Sequence, residues 1–243
     1  VNIGKGANSV SGNTVLGENA LDASVSGASN TAIGSGALTT NTSGQNNTAL
    51  GAITLDANST GSRNTALGRA ALNSNTTASD NTSVGYNSLV ANTTGSGNVA
   101  LGAKSLGANT TGTNNTALGQ AAATSVTTGS NNTAIGKGAL LVNTTGADNV
   151  AVGSVALDAN TTGSFNAALG KGSLSANTSA SNNTAVGYHS LLTNTTGTKN
   201  TALGSAALAF NTSANNNTGI GFNALFSNTT GTLNTAVGAN RSG

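Results

Sequence analysis

The sequence predicts an all-β chain, a parallel β-roll (β-solenoid) built from 17-residue coils. The first observation is periodicity. A unit of the form Asn64-Thr65-Ala66-Leu67-Gly68 recurs from Asn13–Gly17 to Asn234–Gly238, its glycines 17 residues apart at every step, so 221 residues divide into 13 intervals without insertion or deletion. A strict period of this kind fixes the architecture class before any local reading. The second observation is that Asn-Thr-Ala-Leu is short, holds a β-branched residue and has tight bounds, which reads as a strand. The third is that the rest of each coil is rich in Gly, Asn and Thr, residues that favour turns and disfavour helix.

Residues 1–12 read as a degenerate opening coil, in which Asn2-Ile3-Gly4 echoes the unit 13 residues before Gly17, and residues 13–243 form the β-roll proper. Positions in each coil are counted from its glycine as zero. The residue at −1 is always aliphatic, as in Leu16, Ile33, Val84 and Val237. That at −2 is Ala except at Val15, Ser83 and Gly219, and that at −3 is Thr except at Val99, Val150 and Ala167. Position −4 is Asn in all fourteen units: Asn13, Asn30, Asn47, Asn64, Asn81, Asn98, Asn115, Asn132, Asn149, Asn166, Asn183, Asn200, Asn217 and Asn234. This column predicts an internal amide ladder that satisfies buried backbone.

After the glycine, position +3 is small and +4 is Leu in all but one complete coil, the exception being Ala123. The segment ending at +4 reads as a second strand, and Asn-Thr-Thr-Gly at +7 to +10 as a turn. Charged residues such as Arg69, Lys104, Asp56, Arg63 and Asp148 mark solvent columns, as do the aromatics Tyr86, Tyr188, Phe165, Phe210, Phe222 and Phe226. The expected core is the aliphatic pair of each coil, Leu50, Leu67, Leu101 and Leu118 at −1 with Leu55, Leu72, Leu89 and Leu106 at +4.

Side chains alternate along a strand, so Thr and Leu share one face and Asn and Ala the other. Both faces are held constant from coil to coil, which predicts that both meet protein. Two large aliphatics per coil make a thin core. Burying a Leu contributes about 1.5–3 kcal/mol, while ordering one residue's backbone costs about 1–2 kcal/mol. A homo-oligomer in which copies share the Ala-lined face is therefore expected.

Asn-Thr-Ala-Leu-Gly and Asn-Thr-Ala-Ile-Gly, recurring in fixed phase over residues 13–238, resemble the head repeats of YadA-like trimeric autotransporter adhesins. The Asn-Thr-Thr-Gly variant is similar to repeats of bacterial and phage tail-fibre proteins. The resemblance implies a left-handed β-roll assembled as a homotrimer and displayed at a cell surface or on a virion. This chain departs from the usual adhesin head in its longer coil, and it has no recognisable coiled-coil stalk, membrane anchor or self-cleaving tail-fibre chaperone.

Composition narrows the function classes. Only 6% of residues are charged, Pro and Cys are absent, and the net charge is +2, whereas disordered chains carry high charge or many prolines. The basic residues are scattered, so no phosphate-binding patch and no nucleic-acid partner is expected. No apolar run reaches the roughly 18 residues needed to span a membrane, and there is no signal-peptide pattern. The absence of a starting Met, and of a cap after the last coil, suggests continuation into more protein or into a neighbouring subunit. Absence of Cys fits an extracellular setting.

Catalytic, cofactor and metal sites are expected to be absent: His189 is alone in a solvent column and the carboxylates are dispersed. Asn at +7 with Ser or Thr at +9 makes sequons at Asn41, Asn58, Asn75, Asn92, Asn109, Asn143, Asn160, Asn177, Asn194, Asn211 and Asn228, read either as turn residues or as candidate glycosylation sites. Thr at +8 and +9 raises ice binding, against which stands the expectation that neighbouring residues face opposite ways. The function that follows is structural: a shaft or head segment of an extracellular trimeric fibre, adhesin or tail fibre that meets a host surface or glycan receptor through its variable columns. The alternatives are a subunit of a homopolymeric filament, stacked end to end, and a Thr-rich ice-binding solenoid.

Overall fold

A computed structural model describes residues 3–5, 9–23 and 26–240. Part of the expected opening coil, including Asn2, lies outside the described residues. The chain divides into two compact units, residues 1–120 and 121–243.

The first unit holds β1 (Ile3–Gly4), β2 (Thr14–Leu16), β3 (Thr31–Ile33), β4 (Thr48–Leu50), β5 (Thr65–Leu67), β6 (Thr82–Val84), β7 (Val99–Leu101) and β8 (Thr116–Leu118). The second holds β9 (Thr133–Ile135), β10 (Val150–Val152), β11 (Ala167–Leu169), β12 (Thr184–Val186), β13 (Thr201–Leu203), β14 (Thr218–Ile220) and β15 (Thr235–Val237). From β2 on, neighbouring strands within each unit pair parallel with a shift of one 17-residue coil, so that Thr65 faces Thr82 and Leu67 faces Val84. Strand β1 differs: Ile3 and Gly4 pair antiparallel with Leu16 and Val15. The parallel β-solenoid expected from the period is the observed fold.

Each strand is only three residues long, but the inter-coil ladder runs around the whole coil. In the coil of Gly51, Leu55 N–H donates to Ala71 O (3.1 Å), Ala57 N–H to Asn73 O (3.0 Å) and Ser59 N–H to Thr76 O (2.9 Å), before Gly68 N–H returns to Leu50 O (2.8 Å). Backbone groups around the coil are thereby satisfied by the coils above and below, which a chain with so few apolar residues requires.

The expected second strand is instead a run of turns. Its last residue, Leu at +4, lies in the left-handed region, at φ 51° in Leu55, 48° in Leu89 and 53° in Leu157. Positions +2 and +12 are left-handed as well, for example Asn87 (φ 53°) and Asn46 (φ 58°). Left-handed backbone costs an L-residue roughly 1–2 kcal/mol. At +4 the corner turns the Leu side chain inward, where it is fully buried in twelve coils, and that burial offsets the cost. At +2 no such return exists. Val155 sits there at φ 50° with its side chain half-exposed, where seven of the other coils place Gly or Asn. Val155→Asn is expected to raise stability by about 1 kcal/mol, read as a higher urea midpoint at unchanged slope.

The core differs from the expected one in half its members. Leu55, Leu72, Leu89 and Leu106 are fully buried, but Leu50 and Leu101 are 44% and 42% exposed, and Leu67 and Leu118 are half-exposed. Strand alternation sends Ala at −2 inward, and Ala32, Ala49, Ala66 and Ala100 have no exposed surface. The Ala-lined face is thus the interior of each chain's own coil and is not available to a second copy. The face that points out carries Thr at −3 and the aliphatic at −1.

Candidate functional site

Two asparagine ladders fill the interior beside the leucines. In the −4 ladder, Asn30 N–H donates to Asn13 Oδ1 (2.8 Å), Asn47 N–H to Asn30 Oδ1 (2.9 Å) and Asn64 N–H to Asn47 Oδ1 (2.9 Å). The second unit repeats this from Asn132 to Asn234, with Asn149 N–H on Asn132 Oδ1 at 3.1 Å and Asn234 N–H on Asn217 Oδ1 at 2.9 Å. Within each unit the amide ladder expected from the sequence is present.

The second ladder is the +7 column, for which the sequence predicts turn or glycan chemistry. It is buried: Asn58, Asn75, Asn92, Asn109, Asn143, Asn160 and Asn194 have no exposed surface, and Asn228 is half-buried. Asn58 Nδ2 donates to Asn41 Oδ1 (2.9 Å) and to Gly61 O (3.0 Å), so both of its N–H bonds are used. Asn160 and Asn228 repeat the pattern on Asn143 and Gly163, and on Asn211 and Gly231. A glycan on that nitrogen would have to displace these bonds and fit inside the coil, so in this fold the asparagines act as structural ladder residues. The signal for this was in the sequence: the +7 column varies as little as the core columns do.

The two ladders meet at one carbonyl per coil. Gly44 O accepts Asn41 Nδ2 at 3.0 Å and Asn30 Nδ2 at 2.9 Å, filling both lone pairs, and Gly61 O and Ala78 O do the same. Asn109, the last member of the +7 ladder in the first unit, leaves Oδ1 without a partner. Among the described residues no other buried side-chain nitrogen or oxygen lacks a partner, and such closed networks fix one register.

Outside, the columns divide into variable and constant ones. Position +1 holds Glu18, Arg69, Tyr86, Gln120, Lys137 and Phe222, with no common chemistry. Neighbouring coils make local contacts on this surface. Arg63 pairs bidentately with Asp80, with Nε 2.6 Å from Oδ1 and Nη2 2.8 Å from Oδ2. Hydrogen bonding from the guanidinium holds the Asp80 carboxyl below the usual carboxylate range. Arg69 lies over the Tyr86 ring (5.9 Å) and Phe210 meets Phe226 edge-on (4.8 Å), while within one coil Tyr188 stacks on the adjacent His189 (3.7 Å). Among the described residues no three of His, Cys, Asp or Glu are grouped as metal ligands, and no helix is long and apolar enough to cross a membrane.

Two outward faces are constant. One is the strand face: a rank of Thr beside a rank of Leu, Ile or Val, with Leu16 40%, Leu169 40% and Leu203 46% exposed. No charged residue occurs in either rank. The other is the pair +8 and +9, which sit between the buried positions +7 and +10 and both point out. The expectation that these neighbours face opposite ways does not hold, because the segment is a bend. The +8 hydroxyls donate to the next coil's +8 carbonyl, as in Thr76 Oγ1 to Thr93 O (3.1 Å) and Thr161 Oγ1 to Thr178 O (2.9 Å). The +9 hydroxyls make no hydrogen bond to the protein.

No protein-family model, curated protein or solved structure matches this chain.

Proposed function

We propose that the chain is a structural segment of an extracellular trimeric fibre, either shaft or head, in which three copies pack through their strand faces. The observation that carries this reading is the −1 column. It is exposed or half-exposed in every coil, yet always aliphatic, while the exposed columns beside it drift through charged, polar and aromatic residues. Contiguous exposed apolar surface marks an interaction site. A partner that uses every rung must share the 17-residue pitch, and a second copy of this chain does. Absence of charge in both strand-face ranks lets identical surfaces meet without repulsion. The variable columns, turned away from that interface, are left to meet a host surface or glycan.

Ice binding is less favoured by the geometry than by the composition. The +8 hydroxyls are spent on backbone carbonyls, and the +9 rank exchanges Thr for Ser, giving up the methyl that such a surface needs.

The chain has no cysteine, so single replacements report proximity cleanly. Leu67→Cys, on the strand face, is expected to form interchain disulfides on mild oxidation, and Arg69→Cys, two residues away in a variable column, is not. Absence of crosslinking at position 67, or equal crosslinking at both, would remove the strand face as the interface.

A further inference from the structure

We propose that the +9 column is a ladder of acceptor sites for O-linked glycosylation. The column runs from Ser26 to Thr230 at every seventeenth residue, and all thirteen members are exposed. Every one is Ser or Thr, with Ser43, Ser179 and Ser213 standing where Thr94, Thr145 and Thr196 stand in other coils. What the column keeps constant is therefore the hydroxyl and not the methyl.

The fold gives that hydroxyl no work. It makes no hydrogen bond to the protein, whereas the neighbouring +8 hydroxyl is bonded coil by coil, as in Thr93 Oγ1 to Thr110 O (3.0 Å) and Thr144 Oγ1 to Thr161 O (3.1 Å). Turn geometry does not require it either, since other exposed turn positions such as +1 and +12 accept charged, aromatic and aliphatic residues. An outward hydroxyl that is always present and never used by the fold is suited to act as a nucleophile for a modifying enzyme. The two residues at the bend stand proud of the buried Asn at +7 and the small residue at +10, so a transferase can reach the second without unfolding the coil.

The donor is a nucleotide sugar. The Ser or Thr Oγ attacks the anomeric carbon and forms the C1–O bond. The bond from C1 to the nucleotide diphosphate breaks with its electron pair on the leaving diphosphate, and the hydroxyl proton passes to a base of the transferase. A neutral group fits the spacing where phosphate does not. Acceptors in neighbouring coils lie about one strand spacing apart, roughly 4.8 Å, and phosphorylation would set a dianion on every rung. No charge occurs at +8, +9 or +10 in any coil, so nothing there would neutralise them.

This inference is independent of the fibre reading. Its test is peptide mass spectrometry of the protein isolated from the cells that naturally make it. Trypsin cleavage after Lys137 and Lys171 releases the peptide Gly138–Lys171, which contains the +9 residues Thr145 and Thr162, the +8 residues Thr144 and Thr161, and the sequon residues Asn143 and Asn160. The expected result is a peptide heavier by whole hexose or N-acetylhexosamine units, located by electron-transfer fragmentation on Thr145 and Thr162. Thr145→Val loses one unit and Thr144→Val loses none. A peptide at its unmodified mass, sugar on Thr144, Thr161 or either Asn, or a phosphate increment would each overturn the proposal. The oligomeric mass of the same preparation, measured separately, shows whether the fibre reading stands when this one fails.

Discussion

Leu89→Ala is expected to destabilise the first unit by about 2–5 kcal/mol, the cost of emptying a fully buried leucine site that cannot collapse. Leu89 has no exposed surface, and its backbone is held in the left-handed region by the corner it closes. With one large inward side chain per coil, loss of one leaves a gap in a single file. Solenoid stability is close to a sum of repeat and nearest-neighbour terms, which means a mid-unit defect also weakens its two neighbours. The matched change on the other aliphatic column behaves differently. Leu101→Lys, 42% exposed in one chain, is expected to leave the coil folded and to act through assembly, so its effect on the melting temperature depends on protein concentration while that of Leu89→Ala does not. Denaturation at two concentrations separates them. Equal effects at both positions would mean that the inward and outward columns have been assigned wrongly.

Gly85→Ala is expected to be at least as damaging, above about 3 kcal/mol, because two costs add. Gly85 has φ +130°, a conformation that residues with a side chain rarely adopt, and a Cβ built on it lies 2.7 Å from the carbonyl carbon of Gly102 and 2.8 Å from its oxygen. The neighbour is backbone, already held in the ladder, and has no room to move. Gly219→Ala is the control. Gly219 occupies the −2 column, where most coils already have Ala, its φ is not left-handed, and a Cβ built on it lies 3.1 Å from Ala224 O and 3.3 Å from the movable Leu208, with no contact under 3 Å. That substitution should shift stability by less than about 1 kcal/mol in either direction. Thermal unfolding followed by circular dichroism decides both cases.

These two columns also show how much was legible before the fold was known. The period, the strand at −3 to −1 and the −4 amide ladder follow from constancy and spacing alone, because a residue that never varies in thirteen repeats has its environment repeated too. The sense of the strand was harder to read. Size alone predicts large aliphatics inward and Ala as the close-approach surface, but the narrow coil has room inside for Ala at −2 and not for Leu at −1. A finer signal was present: +4 is Leu almost without exception, whereas −1 exchanges Leu, Ile and Val freely, as an outward position can. The corner at +4 had no signal at all. Leu in the left-handed region is contrary to its own preference, and only the burial gained at that corner makes it tenable, so local propensity returned a strand where tertiary packing makes a turn. The +7 asparagines failed for the opposite reason. Asn-x-Thr matches both a turn and a glycan sequon; the low variability of the +7 column points to a buried ladder, but that it shares its acceptor carbonyl with the −4 column requires knowing that residues eleven apart converge on one atom.

The same distinction bears on function. Constancy in a buried column reports packing, but constancy in an exposed column needs a partner. The strand face and the +9 rank are the exposed columns that keep their chemistry, and each is assigned one: another copy of the chain for the first, a sugar for the second.

The most direct test of the strand-face assignment is absolute mass in dilute solution, by light scattering behind a sizing column. The account predicts a single species at about three times the 23.1 kDa chain, falling to the one-chain mass when Leu50 and Leu101 are both replaced by Lys. A wild-type protein that runs at the one-chain mass would contradict it, because the exposed aliphatic rank would then be without a partner. Material that grows to the void volume and still does so in the double Lys variant would contradict it as well, pointing instead to end-to-end filaments.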